Sequence, residues 1–189
     1  MEYQAEALRV IPRYVWSGLY DPEEVVLLVG ESVWGDEYDE DWLQAEVEKE
    51  LAKKRAAEAT WPKKTDCDRL EKVFKTLQKQ HIIVLEDAGM TKSDGLEEVE
   101  DEYEDAGSEK SGIEGYCFYH SQDLAHVLES GELWLAFGDI RGDAKRGVEI
   151  GRRIKAALEA AKFTVEWKGT VKARLLIKGI KWQRRTPEA

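Results

Sequence analysis

Apolar positions recur at helical spacing through the first half of the chain and at strand spacing through much of the second. Near the start, Val10-Ile11 and Tyr14-Val15-Trp16 flank Pro12, which is expected to break any helix begun earlier. Asp21-Pro22-Glu23-Glu24 reads as a helix start. The aspartate can accept from free amides, the proline suits the first helical position and Glu24 stands at the capping-box place. That signal makes Val25–Val29, which alone would pass for a strand, part of a helix. After an acidic turn over Gly35–Asp41, the spacing of Leu43, Val47 and Leu51 predicts a long helix from about Glu40 to Ala59, ended by Trp61-Pro62. Thr65-Asp66-Cys67-Asp68 opens the next helix, with Cys67, Leu70, Phe74 and Leu77 on one face.

From there the period changes. Ile82–Leu85 is short, β-branched and continuous, the pattern of a central strand buried on both faces. Ser93-Asp94-Gly95 starts another helix, with Leu96, Val99 and Tyr103 inward. Gly115–Tyr119 reads as a strand, and Ser121 or Asp123 starts a short helix stopped at Ser130-Gly131. Leu133–Phe137 is a second buried strand. Arg141–Lys162 carries a clear helical period, and Gly147 and Gly151, one turn apart, predict close approach of a neighbouring element. Phe163–Trp167 and Ala173–Ile177 read as strands about a hairpin turn at Lys168-Gly169-Thr170, and the last residues are expected to fray. Helices followed by alternating strands and helices define an α+β protein. The expected layout is one domain over 1–189, with a mainly helical part at 1–64 and an α/β core at 65–185. Its mixed sheet has about five strands, and a ferredoxin-like arrangement is admitted for 113–178.

Composition narrows the class. In 189 residues, 42% are hydrophobic and 35% charged, which is globular with a highly charged surface. No apolar run is long enough to cross a bilayer, and the first six residues lack the basic and apolar regions of a signal peptide. A soluble cytoplasmic protein is expected. Two cysteines and three histidines are too few for a Cys-rich zinc module, and no Gly-rich phosphate loop, nucleophile elbow or zinc-ligand spacing is present.

The net charge of −11 conceals an asymmetry: residues 1–140 hold 34 acidic and 14 basic side chains, residues 141–189 hold 5 and 14. The two parts are expected to neutralise each other in the fold. Arg152, Arg153, Lys155, Lys172, Arg174, Arg184 and Arg185 form no recognised nucleic-acid-reading motif, which makes nucleic acid the least favoured partner. Between Glu86 and Glu109 there are 11 acidic residues and one lysine, without the ligand spacing of an EF-hand loop. The seven tryptophans, among them Trp16, Trp34, Trp42 and Trp61, suit either a core or an interface.

Reactive side chains concentrate in Gly115–Asp123. Strand alternation puts Cys117 and Tyr119 on one face and Tyr116, Phe118 and His120 on the other, so Cys117 and His120 cannot pair as nucleophile and base. Cys117 and Cys67 read as core residues. His120 ends a strand, and Gln122 and Asp123 follow at a helix start. His120 is therefore a candidate general base or metal ligand with Asp123 as its orienting partner. The plainer reading makes Ser121 or Asp123 a helix cap. Asp87 also follows a strand and Asp94 starts a helix, while Asp66 and Asp68 stand at another helix start. If the strands ending at Leu85 and Tyr119 are parallel neighbours, Asp87, Asp94, Tyr119, His120, Gln122 and Asp123 gather at one sheet edge, where α/β proteins bind ligands. The candidate catalytic residues are His120, Asp123 and Asp94; no metal ligand set and no cofactor is assigned.

Several stretches resemble an uncharacterised bacterial family, domain of unknown function 6891: Ala59–Pro62, Thr65–Leu70, Asp87–Thr91 with Ser93–Leu96, Gly115–Asp123, Ala136–Gly138, Asp143–Gly151 and Trp182–Arg185. The resemblance runs over most of the chain from Trp16 and implies one bacterial domain; it brings no activity and no catalytic residues. Lys181 departs from it, standing where an acidic residue is expected before Trp182. Two functional classes lead. The first is a non-catalytic binding or regulatory protein whose acidic helices engage a basic protein partner. The second is a small hydrolase or transferase built on His120, Asp94 and Asp123, with or without a metal.

Overall fold

A computed structural model describes residues 2–33 and 39–187. Trp34 and most of the expected acidic turn lie outside the described residues. The chain divides into two compact units, Met1–Cys67 with Trp182–Ala189, and Asp68–Lys181. Among the described residues no helix is long and apolar enough to cross a membrane.

The first unit is built on helices α1 (Glu2–Ser17), α2 (Pro22–Val33) and α3 (Glu40–Glu58). Pro12 does not break α1 but lies inside it. Proline removes one backbone donor from the helix, yet Ala7, Ile11 and Val15 sit on one stripe, buried against Val25, Val29, Leu43, Val47 and Leu51. That shared core outweighs the lost bond. Asp21 and Glu24 start α2 as expected: the Glu24 amide donates to Asp21 Oδ1 and the Asp21 amide to Glu24 Oε2. Trp16 and Trp42 pack half-buried against this core.

The apolar stripe of α3 runs on to Lys54, whose side chain is fully buried. Its Nζ donates to the Val15 carbonyl at 3.0 Å and lies 3.6 Å from Glu58 Oε1. Burial lowers its pKa to about 8, with Glu58 acting in the opposite sense. The C-terminal segment is tied down through Thr186 instead of fraying. Trp182 Nε1 donates to the Ser17 carbonyl, Arg185 to the Pro62 carbonyl, and the Thr186 amide and hydroxyl both donate to Glu58 Oε1. Gly18, at φ +66°, has the Arg184 carbonyl oxygen 2.4 Å from where a Cβ would stand, so the strap needs a glycine beneath it.

The second unit carries most of α4 (Asp66–Lys79), then β1 (Ile82–Leu85), α5 (Lys92–Asp105), β2 (Gly115–Phe118), α6 (Ser121–Ser130), β3 (Glu132–Asp139), α7 (Ala144–Ala160), β4 (Thr164–Glu166) and β5 (Leu175–Lys178). The sheet is five-stranded, in the order β1-β2-β3-β5-β4, so β1 is an edge strand and not the central one its apolar run predicts, and its last two residues are only half-buried. β1 and β2 are parallel, joined through α5, and every other pairing is antiparallel. The architecture is α+β. The ferredoxin-like option for 113–178 does not hold. That motif runs β-α-β-β-α-β, whereas this segment runs β-α-β-α-β-β, and β5 inserts between β3 and β4.

Strand alternation sorts the two sheet faces. Phe118 and Ala136 join Ile83 and Val99 under α5. Gly95 lets α5 sit that close, since a Cβ there would stand 2.4 Å from the Phe118 ring. On the other face Tyr119 meets Phe74 of α4, their ring centroids 6.5 Å apart. Gly151 brings α7 onto Phe137 and Trp167 there, and Gly147 brings it onto Val171. The hairpin between β4 and β5 is wider than a tight turn, because the register opposes Glu166 to Leu176. Trp167 Nε1 stitches the intervening loop by donating to the Thr170 and Ala173 carbonyls, both at 3.1 Å.

Candidate functional site

Because β1 and β2 are parallel neighbours, the residues that follow them come together at one edge of the sheet. The Ala88 amide donates to the Tyr119 carbonyl and the Ser121 amide to the Gly89 carbonyl, tying the two exits. Asp87, at φ 54°, accepts from Ser121 Oγ at 2.6 Å. Tyr119 is fully buried and its hydroxyl donates to Glu86 Oε2 at 2.9 Å.

His120 and Asp123 form the centre of this edge. Both are buried, and the His120 amide donates to Asp123 Oδ2 at 3.3 Å, which caps the start of α6. The third member is Arg174, just before β5. Its Nη1 donates to both carboxylate oxygens of Asp123, at 2.8 and 2.9 Å, and lies 3.3 Å from His120 Nε2. The same Nε2 is 3.1 Å from Asp123 Oδ2. The Arg174 guanidinium lies over the half-buried Trp134 ring, 5.4 Å from its centroid, a cation–π contact.

His120 Nε2 is enclosed between a guanidinium and a carboxylate, and its Nδ1 is buried without a hydrogen-bond partner among the described residues. Burial holds the ring below its ordinary pKa; Asp123, Asp87 and Asp94 pull it up and Arg174 pulls it down. A general base needs a lone pair within reach of a substrate proton; here Nε2 is engaged by both Arg174 and Asp123. The cluster is a clamp in which Arg174 neutralises a buried carboxylate and fastens the start of β5 to the start of α6.

The remaining candidates take separate places. Asp94 is the third residue of an α5 capping box: Oδ2 accepts from the Met90 and Thr91 amides, and Thr91 Oγ1 accepts from the Asp94 amide. Those bonds, Thr91 first, hold its carboxyl below the usual range. Its field reaches His120, but no hydrogen bond joins the two. Gln122 points to solvent. Asp66 and Asp68 begin α4. Cys117 is fully buried and its thiol is pushed up to about 12, a core residue without nucleophilic character at neutral pH. Among the described residues no group of three or more His, Cys, Asp or Glu is placed to hold a metal ion. Sequence reasoning missed Arg174 as a partner of Asp123, along with Trp134 and Glu86. The signal for Arg174 was a cation next to a continuous apolar strand, where burial demands a counter-charge.

The most charged surface of the unit is α5. Gly95 and Val99 are buried and Tyr103 half-buried on its inner side, while Glu97, Glu98, Glu100, Asp101, Glu102, Glu104 and Asp105 are exposed. None of these seven makes an ion pair among the described residues. Partial burial raises the Glu98 pKa, and neighbouring Asp87, Asp94 and Asp101 raise it further. Met90 and Leu96 lie beside this helix start as exposed apolar side chains, 53% and 37% accessible. By contrast, many basic residues of the C-terminal part have acidic partners: Arg146 with Asp139, Arg152 with Glu149, Arg153 with Glu114 and Lys155 with Glu159.

The fold and site thus define an α+β protein with a strand-end ion-pair clamp and an acidic helix whose outer carboxylates make no ion pair among the described residues. The chain belongs to the family described as Domain of unknown function (DUF6891), whose model matches residues 1–186. No curated protein and no solved structure matches it.

Proposed function

We propose that this is a cytoplasmic, non-catalytic binding or regulatory protein that presents the outer face of α5 to a basic protein partner. The observation that carries the reading is the row Glu97, Glu100, Asp101 and Glu104, exposed, spaced at helical intervals and without ion pairs among the described residues. Carboxylates crowded on one face repel one another. A cationic partner relieves that repulsion and is steered in by the same field. The enclosure of His120 weighs against a catalytic use of the strand-end cluster.

The test is fluorescence anisotropy with a labelled Lys/Arg-rich peptide. Binding should weaken by about tenfold or more between about 50 mM and about 500 mM salt, as screening shortens the reach of the field. The combined variant Glu97→Lys, Glu100→Lys, Asp101→Lys and Glu104→Lys should lose it at every salt concentration. A variant that binds as the wild type does would sink the reading.

A further inference from the structure

Among the described residues, the helical unit has a groove between α2 and α3 with a volume of about 430 Å³. Its apolar wall is Val26, Leu27 and Val47, and its polar wall Glu23, Glu40, Gln44 and Glu48. Val47 is buried and belongs to the unit's core, so the groove opens onto that core and is not a surface wrinkle. Leu27 is 50% exposed, and three of the five exposed large apolar side chains of the described residues, Tyr3, Leu8 and Leu27, belong to this unit. Glu23 and Glu40 make no ion pair among the described residues, and Glu48 meets only the exposed Arg55, at 3.4 Å.

From this combination we infer that the α2–α3 groove is a docking site for a cationic amphipathic helix of a partner protein. An apolar wall takes the anchor side chain of a helix laid in the groove, the mode that recurs in helix recognition, and the volume lies in the range of side-chain and ligand pockets. The charge fixes the partner's sign. Three glutamates along the mouth attract lysines or arginines flanking the anchor and reject an acidic helix, whose desolvated carboxylates would face them. The inference goes beyond the α5 reading, because this site lies in the other unit and has an apolar anchor that α5 alone does not supply.

The experiment uses the full chain, uniformly labelled with nitrogen-15, titrated with a Leu/Lys amphipathic helical peptide and separately with its Leu/Glu counterpart. The expected result is saturable binding of the Leu/Lys peptide, with amide shifts centred on Val26, Leu27, Gln44 and Val47. Leu27→Asp should weaken it at least tenfold and Glu23→Lys with Glu48→Lys severalfold, while the α5 lysine variant leaves these shifts in place. Leu27 is exposed, so Leu27→Asp retains the fold, verified by unchanged shifts elsewhere. Shifts confined to α5 would overturn the inference and leave the α5 reading standing. Absence of binding at low salt would overturn both. Equal binding of the Leu/Glu peptide would overturn the charge assignment, and Leu27-dependent self-association by sedimentation would make the groove a contact between copies and overturn it too.

Discussion

Arg174→Met is expected to destabilise the α/β unit by about 2–3 kcal/mol and to move the His120 pKa upward. Asp123 is buried, and its two carboxylate oxygens receive 2.8 and 2.9 Å bonds from Arg174 Nη1. Removing one member of a buried pair commonly costs about 3–5 kcal/mol, because the other charge is left desolvated and unpaired. Two features reduce that figure. The Arg174 side chain is 31% exposed, so part of its attraction is screened by water. In addition, His120 Nε2 already lies 3.1 Å from Asp123 Oδ2 and can replace the lost cation by taking a proton. Arg174 is one of the influences holding the ring's pKa down, and Asp123 pulls it up, so losing the arginine moves the His120 pKa upward. Urea denaturation gives the stability change, and imidazole NMR shifts as a function of pH give the titration. Arg174→Met with Asp123→Asn should recover more than half of the loss, since it leaves no uncompensated charge. An unchanged His120 titration in Arg174→Met would mean that the clamp does not couple the three groups.

Lys54→Met should stabilise the helical unit at neutral pH. The lysine is fully buried, and its pKa falls to about 8 from 10.5, chiefly through desolvation. A group whose folded pKa lies below its unfolded value binds more protons unfolded than folded across that interval. Stability therefore rises as pH goes from about 8 to 10.5 and is flat with respect to this group outside it. Below pH 8 the charge is present in both states and its net cost, desolvation less the attraction of Glu58, is felt in full, about 3 kcal/mol from the size of the shift. Methionine has similar length and no charge, so it should gain about 1–3 kcal/mol at pH 7 after the loss of the Val15 hydrogen bond. It should also remove the extra rise in stability between pH 8 and 10.5. Chemical denaturation of both proteins across that interval, read from the tryptophans of this unit, checks the slope. A Lys54→Met protein less stable than wild type at pH 7 would show that the ion pair with Glu58 outweighs desolvation.

These two positions also mark what the sequence made legible. Helix and strand periods located nearly every element, because burial on one side imposes its period directly on the chain. The start signal at Asp21-Pro22 decided an ambiguous apolar run, and Gly147 and Gly151 announced the close contact of α7 with Val171 and Phe137. The gathering of Asp87, His120 and Asp123 at one edge followed once β1 and β2 were parallel, but the sequence left that condition open. Pro12 misled, since a local breaker says nothing of the core that Ala7, Ile11 and Val15 share with the other helices. Lys54 was readable in principle, three residues beyond Leu51 on the same stripe, yet only packing fixes that the stripe stays buried that far. Arg174 was not readable as a partner of Asp123. The two are 51 residues apart, and they meet only because β5 inserts beside β3.

The proposal that the acidic α5 face is a partner-binding surface is tested most directly by affinity capture at physiological salt. Wild-type protein and the four-lysine α5 variant are immobilised side by side on lysate from the source cell, and the retained proteins are quantified by mass spectrometry. The account predicts at least one basic protein enriched on the wild type about tenfold or more over the variant and released by raised salt. Equal retention on both surfaces, or enrichment on the wild type that salt does not reverse, would contradict it.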